Sequence, residues 1–284
     1  MGTTPRVSIV TTVYNGEAYV DRAAPSILRQ RFDTFEWIIV DDGSTDRTPE
    51  VLGGLIQQDK RIRVETPGRL GRTRALNYGI DLAKGQFIVQ QDFDDVSYPD
   101  RISRQVDFLD KHPEIGLVGG YYVVQDQNRN ERYVRKPPTR HDDIIRSMAR
   151  WIPFAHTIAT FRKQCWEQAG GYPEHDDIED YFLWLAFAKL GWKLANLPHV
   201  LGEHWVHTES YWHRNFTYSV RQQKLAAAQF KAIRELSLPV WMVIYPMARY
   251  FYARCPDQFK RIIRRTVGGS KEMDLAGGQP YPKR

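Results

Sequence analysis

Short apolar runs alternate with helix-like patterns through the first 115 residues of the chain. Runs rich in valine and isoleucine predict strands at residues 7–13, 37–40, 62–64 and 87–89. Apolar residues at helical spacing between them predict four helices. The first ends near Gln30, the second contains Val51, the third spans residues 73–84 and the fourth follows Pro99. This order predicts an α/β fold, with a largely parallel, doubly wound sheet and helices on both faces.

The pattern changes after Ile115. Residues 119–125 and 131–134 predict antiparallel strands around a polar turn, and a further strand is predicted at 157–161. A helix is predicted to begin near Ile178, and a long helix carries Ala226. We therefore expect a mixed, mostly parallel sheet with a helical C-terminal extension and a frayed tail after Met273. The expected divisions of the chain are 1–115, 116–212 and 213–284.

Polar side chains stand where three of the predicted strands end. Thr12 and Tyr14 close the first strand, Asp42 follows the second, and Gln91-Asp92-Phe93-Asp94-Asp95 follows the fourth. The carboxyl ends of parallel strands meet at one edge of a sheet, so we expect these residues to converge. The first turn has neither GxGxxG nor GxxxxGK[ST]. A nucleotide could instead be held by Tyr14 stacking on a base, with Asp42 accepting from a ring N–H.

The acidic segment after the fourth strand suggests a metal site. In an extended chain, Asp92 and Asp94 would point the same way. Two such carboxylates can hold Mg²⁺ or Mn²⁺, with waters and substrate phosphates completing the coordination. The alternative is a simple acidic turn, since Asp is common where strands end. The segment by itself leaves both interpretations open.

Composition narrows the class of partner. The chain is 42% hydrophobic and 26% charged, as in a globular protein, and its net charge of +6 favours an anionic partner. Nucleic acid is disfavoured because the cationic residues are dispersed and no reader motif occurs. Cys165 and Cys255 lack ligand spacing, which argues against a disulfide scaffold or a zinc site and suits a reducing cytoplasm. The N-terminus carries no apolar signal-peptide core.

Several sequence blocks, in order, resemble the family 2 glycosyltransferases of the GT-A fold, of the bacterial surface-polysaccharide type. They are VSIVTTVYNGEAYV, IIVDDGSTD, GRTRALNYGI, QDFDDVSYPDRISRQ and IEDYFLWLAFAKLG. The resemblance implies inverting transfer of a sugar from a nucleoside diphosphate, with Mn²⁺ or Mg²⁺ on the diphosphate, to a hydroxyl of a glycan or lipid-linked acceptor. UDP is the favoured carrier, and dTDP and GDP are alternatives. Residues 1–115 would then bind the nucleotide-sugar and residues 116–212 the acceptor.

The resemblance also implies which residues hold the nucleotide. Contacts to the base and ribose fall to Thr12, Tyr14 and Asp42. Within the basic turn of residues 69–74, we select Arg72 as a further residue that helps hold the nucleotide.

Asp92 and Asp94 match the outer carboxylates of the family's DxD motif. The resemblance implies that Asp94 and Asp95 lie nearest the ribose and the metal. Phe93 stands between the carboxylates, where small residues are common, but it leaves their spacing intact. We therefore expect metal binding to be retained.

Inversion in a single displacement needs one general base opposite the leaving group and no covalent nucleophile. With the Glu-Asp pair ahead of an aromatic-rich helix, the resemblance makes Asp180 the base and gives Glu179 a role in positioning the acceptor or the loop. The alternative is structural, because carboxylates in the first turn of a helix stabilise its N-terminus.

His207 stands where the family often carries a histidine at a strand end, followed three residues later by Ser210. The resemblance implies that it can approach the metal or the diphosphate, and His204 and His213 are competing assignments. The alternative is a surface histidine in an aromatic-rich loop.

Aromatic residues and the C-terminal segment bear on the acceptor. Trp184 and Trp192 are expected in the core, whereas Trp151 is the acceptor-side candidate for sugar stacking. Residues 238–251 are apolar and residues 260–265 are basic, but the apolar stretch is too short to span a bilayer. This segment could lie at an anionic membrane as an interfacial helix, or it could pack on the domain.

Two further functions compete with an active transferase. A catalytically silent docking subunit of a glycan-assembly complex would need no complete carboxylate set, yet Asp42, Asp92, Asp94 and Asp180 are all present. A nucleotidyltransferase would need a Gly-rich basic loop after the first strand, and Tyr14-Asn15-Gly16-Glu17 is not one. The predicted setting is the cytoplasm, with peripheral contact at the inner face of the cell membrane as an open possibility. The sequence carries no signal for the oligomeric state.

Overall fold

The computed structural model describes residues 4–174, 178–208 and 215–256, together with the backbone of 278–280. The strands are β1 (Val7–Val13), β2 (Phe35–Asp41), β3 (Ile62–Glu65), β4 (Phe87–Gln90), β5 (Val96–Ser97), β6 (Ile115–Asp126), β7 (Glu131–Arg135), β8 (Thr160–Arg162), β9 (Lys193–Val206) and β10 (Gly278–Pro280). The α-helices are α1 (Val20–Leu28), α2 (Thr48–Gln58), α3 (Arg72–Asp81), α4 (Arg101–Lys111), α5 (His141–Ser147), α6 (Lys163–Ala169), α7 (Glu179–Lys189), α8 (Tyr218–Glu235) and α9 (Ile244–Arg254). Short 3₁₀ helices cover His156–Ile158 and Val240–Val243.

The sheet is mixed, as expected. Strands β3, β2, β1 and β4 lie side by side and run parallel. Beyond β4, the strand β8 runs antiparallel and joins the long strand β6. Strand β6 pairs with β9 in parallel and with β7 in antiparallel orientation. The four parallel strands therefore end at one edge, which is where the sequence predicts the functional residues.

Both faces of the central strands are buried. In β1, Ile9 packs with residues of α1, α2 and α4, whereas the next residue, Val10, packs with residues of α3 and α7. Alternate side chains of a strand point to opposite faces, so a strand covered on both sides needs apolar residues at consecutive positions. The uninterrupted apolar runs of the first half therefore reflect helices on both faces of the sheet.

The second half departs from the sequence predictions in three places. The predicted strand at 157–161 is a 3₁₀ turn, His156–Ile158, followed by the short strand β8. Helices α5 and α6 have seven residues each, which is too short for a clear helical period. Strand β9 was not predicted, because Pro198 and Gly202 interrupt its apolar pattern.

The C-terminal extension packs against the main domain through α8, and α9 lies on α8. Among the described residues, no helix is both long and apolar enough to cross a membrane. The tail predicted to fray lies outside the described residues, except for Gly278–Pro280, whose backbone pairs with β7. His175, Asp176, Asp177 and His213 also lie outside the described residues.

Candidate active site at the carboxyl ends of the strands

The acidic segment after β4, which we call the acidic turn (Gln91–Asp95), is a turn and not an extended strand. The backbone N–H of Asp95 donates to the carbonyl of Asp92 over 3.2 Å. Phe93 is 5% exposed and packs in the core. A Cβ atom on Gly16, in the loop after β1, would lie 3.0 Å from the Phe93 ring. The expectation that Asp92 and Asp94 point the same way is therefore wrong, because the buried Phe93 turns the chain between them.

Asp92 faces a cluster of cationic and imidazole groups. Arg72, the first residue of α3, donates to Asp92 Oδ1 over 3.3 Å and to Glu179 Oε1 over 2.6 Å. Burial raises the pKa of Asp92, but Arg72 and His156 outweigh it and hold the pKa well below its usual range. Asp92 is therefore ionised throughout the physiological range. Arg72 links the end of β4 to the start of α7.

His156 is a central residue of the site that the sequence did not reveal. It is 8% exposed, and its Nδ1 lies 3.2 Å from Asp92 Oδ1 and 3.3 Å from Arg72 Nη2. Its Nε2 lies 3.0 Å from the hydroxyl of Tyr172. His156 lies in the 3₁₀ turn that replaced a predicted strand, and it belongs to no local motif. Only its tertiary contacts identify it.

Helix α7 begins at Glu179, so the predicted pair Glu179 and Asp180 opens this helix as expected. The Glu179 carboxylate is buried and paired with Arg72, so it orients the guanidinium. Asp180 is half-buried and its Oδ1 accepts from the backbone N–H of Tyr181 over 2.7 Å. Burial and the neighbouring Glu179 raise the pKa of Asp180 to about 6, against the lowering effect of His156. A carboxylate with a raised pKa is a stronger base than an ordinary aspartate.

Asp94 faces the other side of the acidic turn, toward the end of β9. Its Oδ2 lies 2.8 Å from Nε2 of His207. Nδ1 of His207 lies 3.4 Å from the hydroxyl of Tyr19. A tyrosine hydroxyl can donate or accept, so it can support either neutral tautomer of His207. Asp94 and His207, both predicted metal ligands, thus lie together.

The donor set fits a divalent ion that is bound jointly with a substrate. Asp94 offers a carboxylate oxygen and His207 an imidazole nitrogen, and Mn²⁺ accepts both. Within the described ranges, no group of three or more His, Cys, Asp or Glu side chains is arranged to hold a metal ion. A divalent ion bound here would take its other ligands from substrate phosphates and water, as Mg²⁺ commonly does. Asp92, the third predicted ligand, contacts Arg72 and His156 in this structure, and its role as a ligand stays a prediction.

Asp95 points away from Asp94 and into β9. Its Oδ1 accepts from the backbone N–H of Trp205 over 2.7 Å, and its Oδ2 lies 3.1 Å from Nδ1 of His204. Burial lowers the pKa of His204, but Asp95 outweighs it and raises the pKa to about 9. The Asp95 side chain is 1% exposed, so it anchors the acidic turn to β9. Its predicted place near the ribose stays a prediction.

The predicted base-binding residues lie at the ends of β1 and β2. Asp42 accepts from the backbone N–H groups of Leu70 (2.6 Å) and Gly71 (2.9 Å), and it pairs with Arg69. The Arg69 guanidinium covers the ring of Tyr14 at 3.7 Å. Both residues predicted to contact a base therefore already have Arg69 as a partner, and a base bound there would displace or share it. Thr12 is half-buried on the face of β1 that also carries Val10.

Arg101, the first residue of α4, fixes the end of β4 from within the core. Its guanidinium donates to the carbonyls of Gln90 (2.8 Å) and Ala159 (3.3 Å), and to the hydroxyl of Ser97 (2.7 Å). Burial lowers the pKa of Arg101 to about 9, so it is still charged at neutral pH. Arg101 thus holds the chain just before the acidic turn, and β9 holds Asp95 at its end.

Comparison with known sequences identifies the family. The sequence model of the family described as Glycosyl transferase family 2 matches residues 8–167. The chain belongs to the family 2 glycosyltransferases. EpsE of Bacillus subtilis (strain 168) is 32% identical over 261 residues, which cover 88% of this chain and 91% of EpsE. The amylovoran biosynthesis glycosyltransferase AmsE of Erwinia amylovora is 31% identical over 201 residues, 68% of this chain and 74% of AmsE.

Solved structures share the fold of this glycosyltransferase. The mannosyltransferase PcManGT from Pyrobaculum calidifontis, in complex with GDP-Man and Mn²⁺, has a TM-score of 0.66 at 20% identity, covering 96% of this chain and 82% of that one. S. aureus TarS 1-349, in complex with UDP-GlcNAc, has a TM-score of 0.61 at 16% identity, covering 94% and 77%. At these identities the comparison shows the fold alone, and it confirms the predicted GT-A type.

Proposed function

We propose that this family 2 glycosyltransferase inverts the configuration of a sugar as it moves it from a UDP-sugar, with Mn²⁺ or Mg²⁺, to a hydroxyl acceptor. The observation that carries the proposal is the bridge made by Arg72 between Asp92 and Glu179. This bridge joins the acidic turn to the start of α7, so Asp180 lies beside the charged groups that would hold the donor. The nucleotide-sugar complexes of the structural relatives support a donor of this class.

Asp94 and His207 are the residues that would hold the divalent ion. A bound Mn²⁺ or Mg²⁺ supplies positive charge to the diphosphate as it leaves. Tyr19 orients the His207 ring through its hydroxyl, and Phe93 fixes the direction of Asp94 from the core. The Mn²⁺ in the PcManGT complex supports an ion of this type.

The nucleoside would lie against the loops after β1 and β2. Asp42 is held by the backbone of residues 70 and 71, so it can keep its orientation while Arg69 moves away from Tyr14. The diphosphate would then lie toward Arg72, whose guanidinium, now on Asp92 and Glu179, would turn to donate to phosphate oxygens. Thr12 completes the predicted set at the end of β1.

Asp180 is the general base of the proposed reaction. It takes the proton from the acceptor hydroxyl while that oxygen attacks the anomeric carbon, and the carbon–oxygen bond to the diphosphate breaks in the same displacement. No covalent intermediate forms, so the anomeric configuration inverts. Burial beside Glu179 raises the pKa of Asp180 to about 6, which suits a base that works near neutral pH.

The acceptor would be a glycan or a lipid-linked sugar of surface-polysaccharide assembly. The name of AmsE, which refers to amylovoran biosynthesis, supports a biosynthetic role of this kind. A setting in the cytoplasm, at the inner face of the cell membrane, suits such an acceptor.

A panel of nucleotide-sugars tests the proposal without knowledge of the acceptor. The protein is incubated with UDP-, dTDP- and GDP-sugars, with Mn²⁺ or with a chelator, and the release of free nucleoside diphosphate is measured. We expect hydrolysis of a UDP-sugar that depends on the ion. If no nucleotide-sugar of the panel releases nucleoside diphosphate, with or without Mn²⁺, the result would contradict the proposal and favour a catalytically silent docking subunit.

A further inference from the structure

Helix α9 and the 3₁₀ turn before it have two opposite faces. The inner face carries Pro246 and Ala253, which are buried, and Arg249, which donates to Gln229 Oε1 over 3.1 Å and to the carbonyl of Arg150 over 2.7 Å. This face packs against α8 and the segment after α5.

The outer face is apolar and open. It consists of Val240, Ile244, Met247 and Phe251, whose exposed fractions are 80%, 60%, 44% and 60%. Their spacing of four, three and four residues places them in one row. Trp241 (60% exposed) and Tyr250 (37%) flank the row. We call these six residues the exposed stripe, and a contiguous apolar surface of this kind marks an interaction site.

A basic groove of about 490 Å³ opens beside the exposed stripe. Trp241 and Trp151 line it together with Lys136, Arg146 and Arg150. Among the described residues that line the groove, Asp143 is the one carboxylate, and it is paired with Arg146 at 2.8 Å. The lining of the groove is therefore positively charged and contains two tryptophan rings.

The groove is connected to the active site by the chain that forms it. Trp151 precedes His156 by five residues, and His156 contacts Asp92 and Arg72. Tyr181, the residue after Asp180, donates through its hydroxyl to the carbonyl of Met148 over 2.7 Å. The groove and the active site are thus joined by the segment from Met148 to His156 and by the start of α7.

We propose that the exposed stripe docks on an anionic membrane, and that the basic groove beside it receives the phosphate-bearing head of a lipid-linked acceptor from that membrane. The acceptor part of this proposal rests on the proposed function. An anionic bilayer matches both features, because apolar side chains enter the interface while cations contact headgroup phosphates. Tryptophan and tyrosine suit this position because their rings are apolar and their edges polar.

Charge distinguishes this occupant from a second copy of the chain. Two copies that met through their stripes would bring two basic grooves together, and each chain has a net charge of +6. Like charges repel at such an interface, whereas an anionic surface neutralises them.

Co-sedimentation of the full chain with vesicles tests the membrane contact. The vesicles are phosphatidylcholine alone or an equal mixture of phosphatidylcholine and phosphatidylglycerol. We expect binding to the mixed vesicles, at least about tenfold weaker binding to phosphatidylcholine, and loss of binding in high salt. Failure of the wild-type protein to sediment with the mixed vesicles would overturn the proposal.

Paired variants separate the two surfaces. I244N/F251N should weaken partitioning to mixed vesicles by about tenfold or more, since two apolar side chains no longer enter the interface. I56N/L190N changes exposed apolar residues outside the stripe and should partition like the wild type. K136Q/R146Q should weaken partitioning to mixed vesicles by about fivefold for each charge removed. Melting curves confirm that each variant is folded.

Two results would identify a different occupant or a different function. A concentration-dependent dimer in sedimentation velocity, abolished by I244N/F251N, would assign the stripe to a second copy and overturn the proposal. Equal partitioning of I244N/F251N and the wild type would overturn it as well. Donor hydrolysis by the wild-type protein, measured without vesicles, reports on the proposed function separately from the membrane contact.

Discussion

The charged side chains on one side of the active site are paired and held in place, whereas those on the other side are exposed. On the donor side, Asp42 and Asp92 are held by Arg69 and Arg72 and by backbone N–H groups, within loops tied to the sheet. In the basic groove, on the acceptor side, Lys136 is exposed and Arg146 meets a single carboxylate at the surface. The proposed donor side is thus already held in place in this structure, whereas the proposed acceptor side keeps its charge available to solvent and to a partner.

This difference suits the two proposed ligands. A nucleoside diphosphate is a compact ligand, and its recognition gains from groups already fixed in place. The loops after β1 and β2 show such fixation, since the N–H of Asn15 donates to Ser44 Oγ over 2.9 Å and the N–H of Thr45 donates to Asn15 Oδ1 over 2.8 Å. An acceptor that arrives at a surface needs an open approach, which the basic groove and the exposed stripe provide.

The largest expected effect concerns the base that lies between the two sides. D180N should lower donor hydrolysis by about 10²- to 10⁴-fold, because the amide cannot take a proton. Donor affinity should stay near that of the wild type, since Asp180 is assigned to the acceptor. D142N, in the first turn of α5, is the matched control and should keep full activity. Turnover of D180N close to the wild-type rate would remove Asp180 from this role.

The tethering of the donor side predicts a loss of stability. R101M removes the donors to the carbonyls of Gln90 and Ala159 in the core, and we expect the free energy of unfolding to fall by about 3 kcal/mol. R104M, at an exposed position of the same helix, should stay within about 0.5 kcal/mol of the wild type. Denaturant titration measures both variants. Equal midpoints for R101M and R104M would show that the end of β4 does not depend on Arg101.

The pH dependence of activity sharpens the assignment of the base. The pKa of Asp180 is raised to about 6, so the residue is protonated and inactive as a base below that value. As pH falls through about 6, kcat/KM for donor hydrolysis should therefore drop, approaching tenfold per pH unit. The residual activity of D180N should lack this acidic limb. A wild-type profile that stays flat across pH 6 would contradict the assignment.

The sequence was sufficient for the first half of the fold. Buried parallel strands produce continuous apolar runs, so β1 to β4 and the helices between them were predicted close to their observed bounds. In the second half, α5 and α6 are short and β9 is interrupted by Pro198 and Gly202, so the same patterns carried less information. The family resemblance supplied the order of the functional blocks, which periodicity does not.

The sequence indicated which residues gather at the candidate site better than it indicated the directions of their side chains. Asp42, Asp92, Asp94, Asp180 and His207 lie at strand and helix ends, where sequence position indicates them. The direction of each side chain depends on tertiary packing. The buried Phe93 lies between Asp92 and Asp94, and the Asp95 carboxylate accepts from the backbone of β9. His156 had no local signature, because its contacts come from parts of the chain far away in sequence.

The proposed function depends on an ion, held by Asp94 and His207, through which the donor diphosphate binds. Calorimetric titration of UDP, with Mn²⁺ and with a chelator, tests it directly. We expect Mn²⁺ to raise UDP affinity by about tenfold or more, D94N to lose this gain, and D107N, an exposed residue of α4, to keep it. Equal affinity of the wild-type protein for UDP with and without Mn²⁺ would contradict the claim.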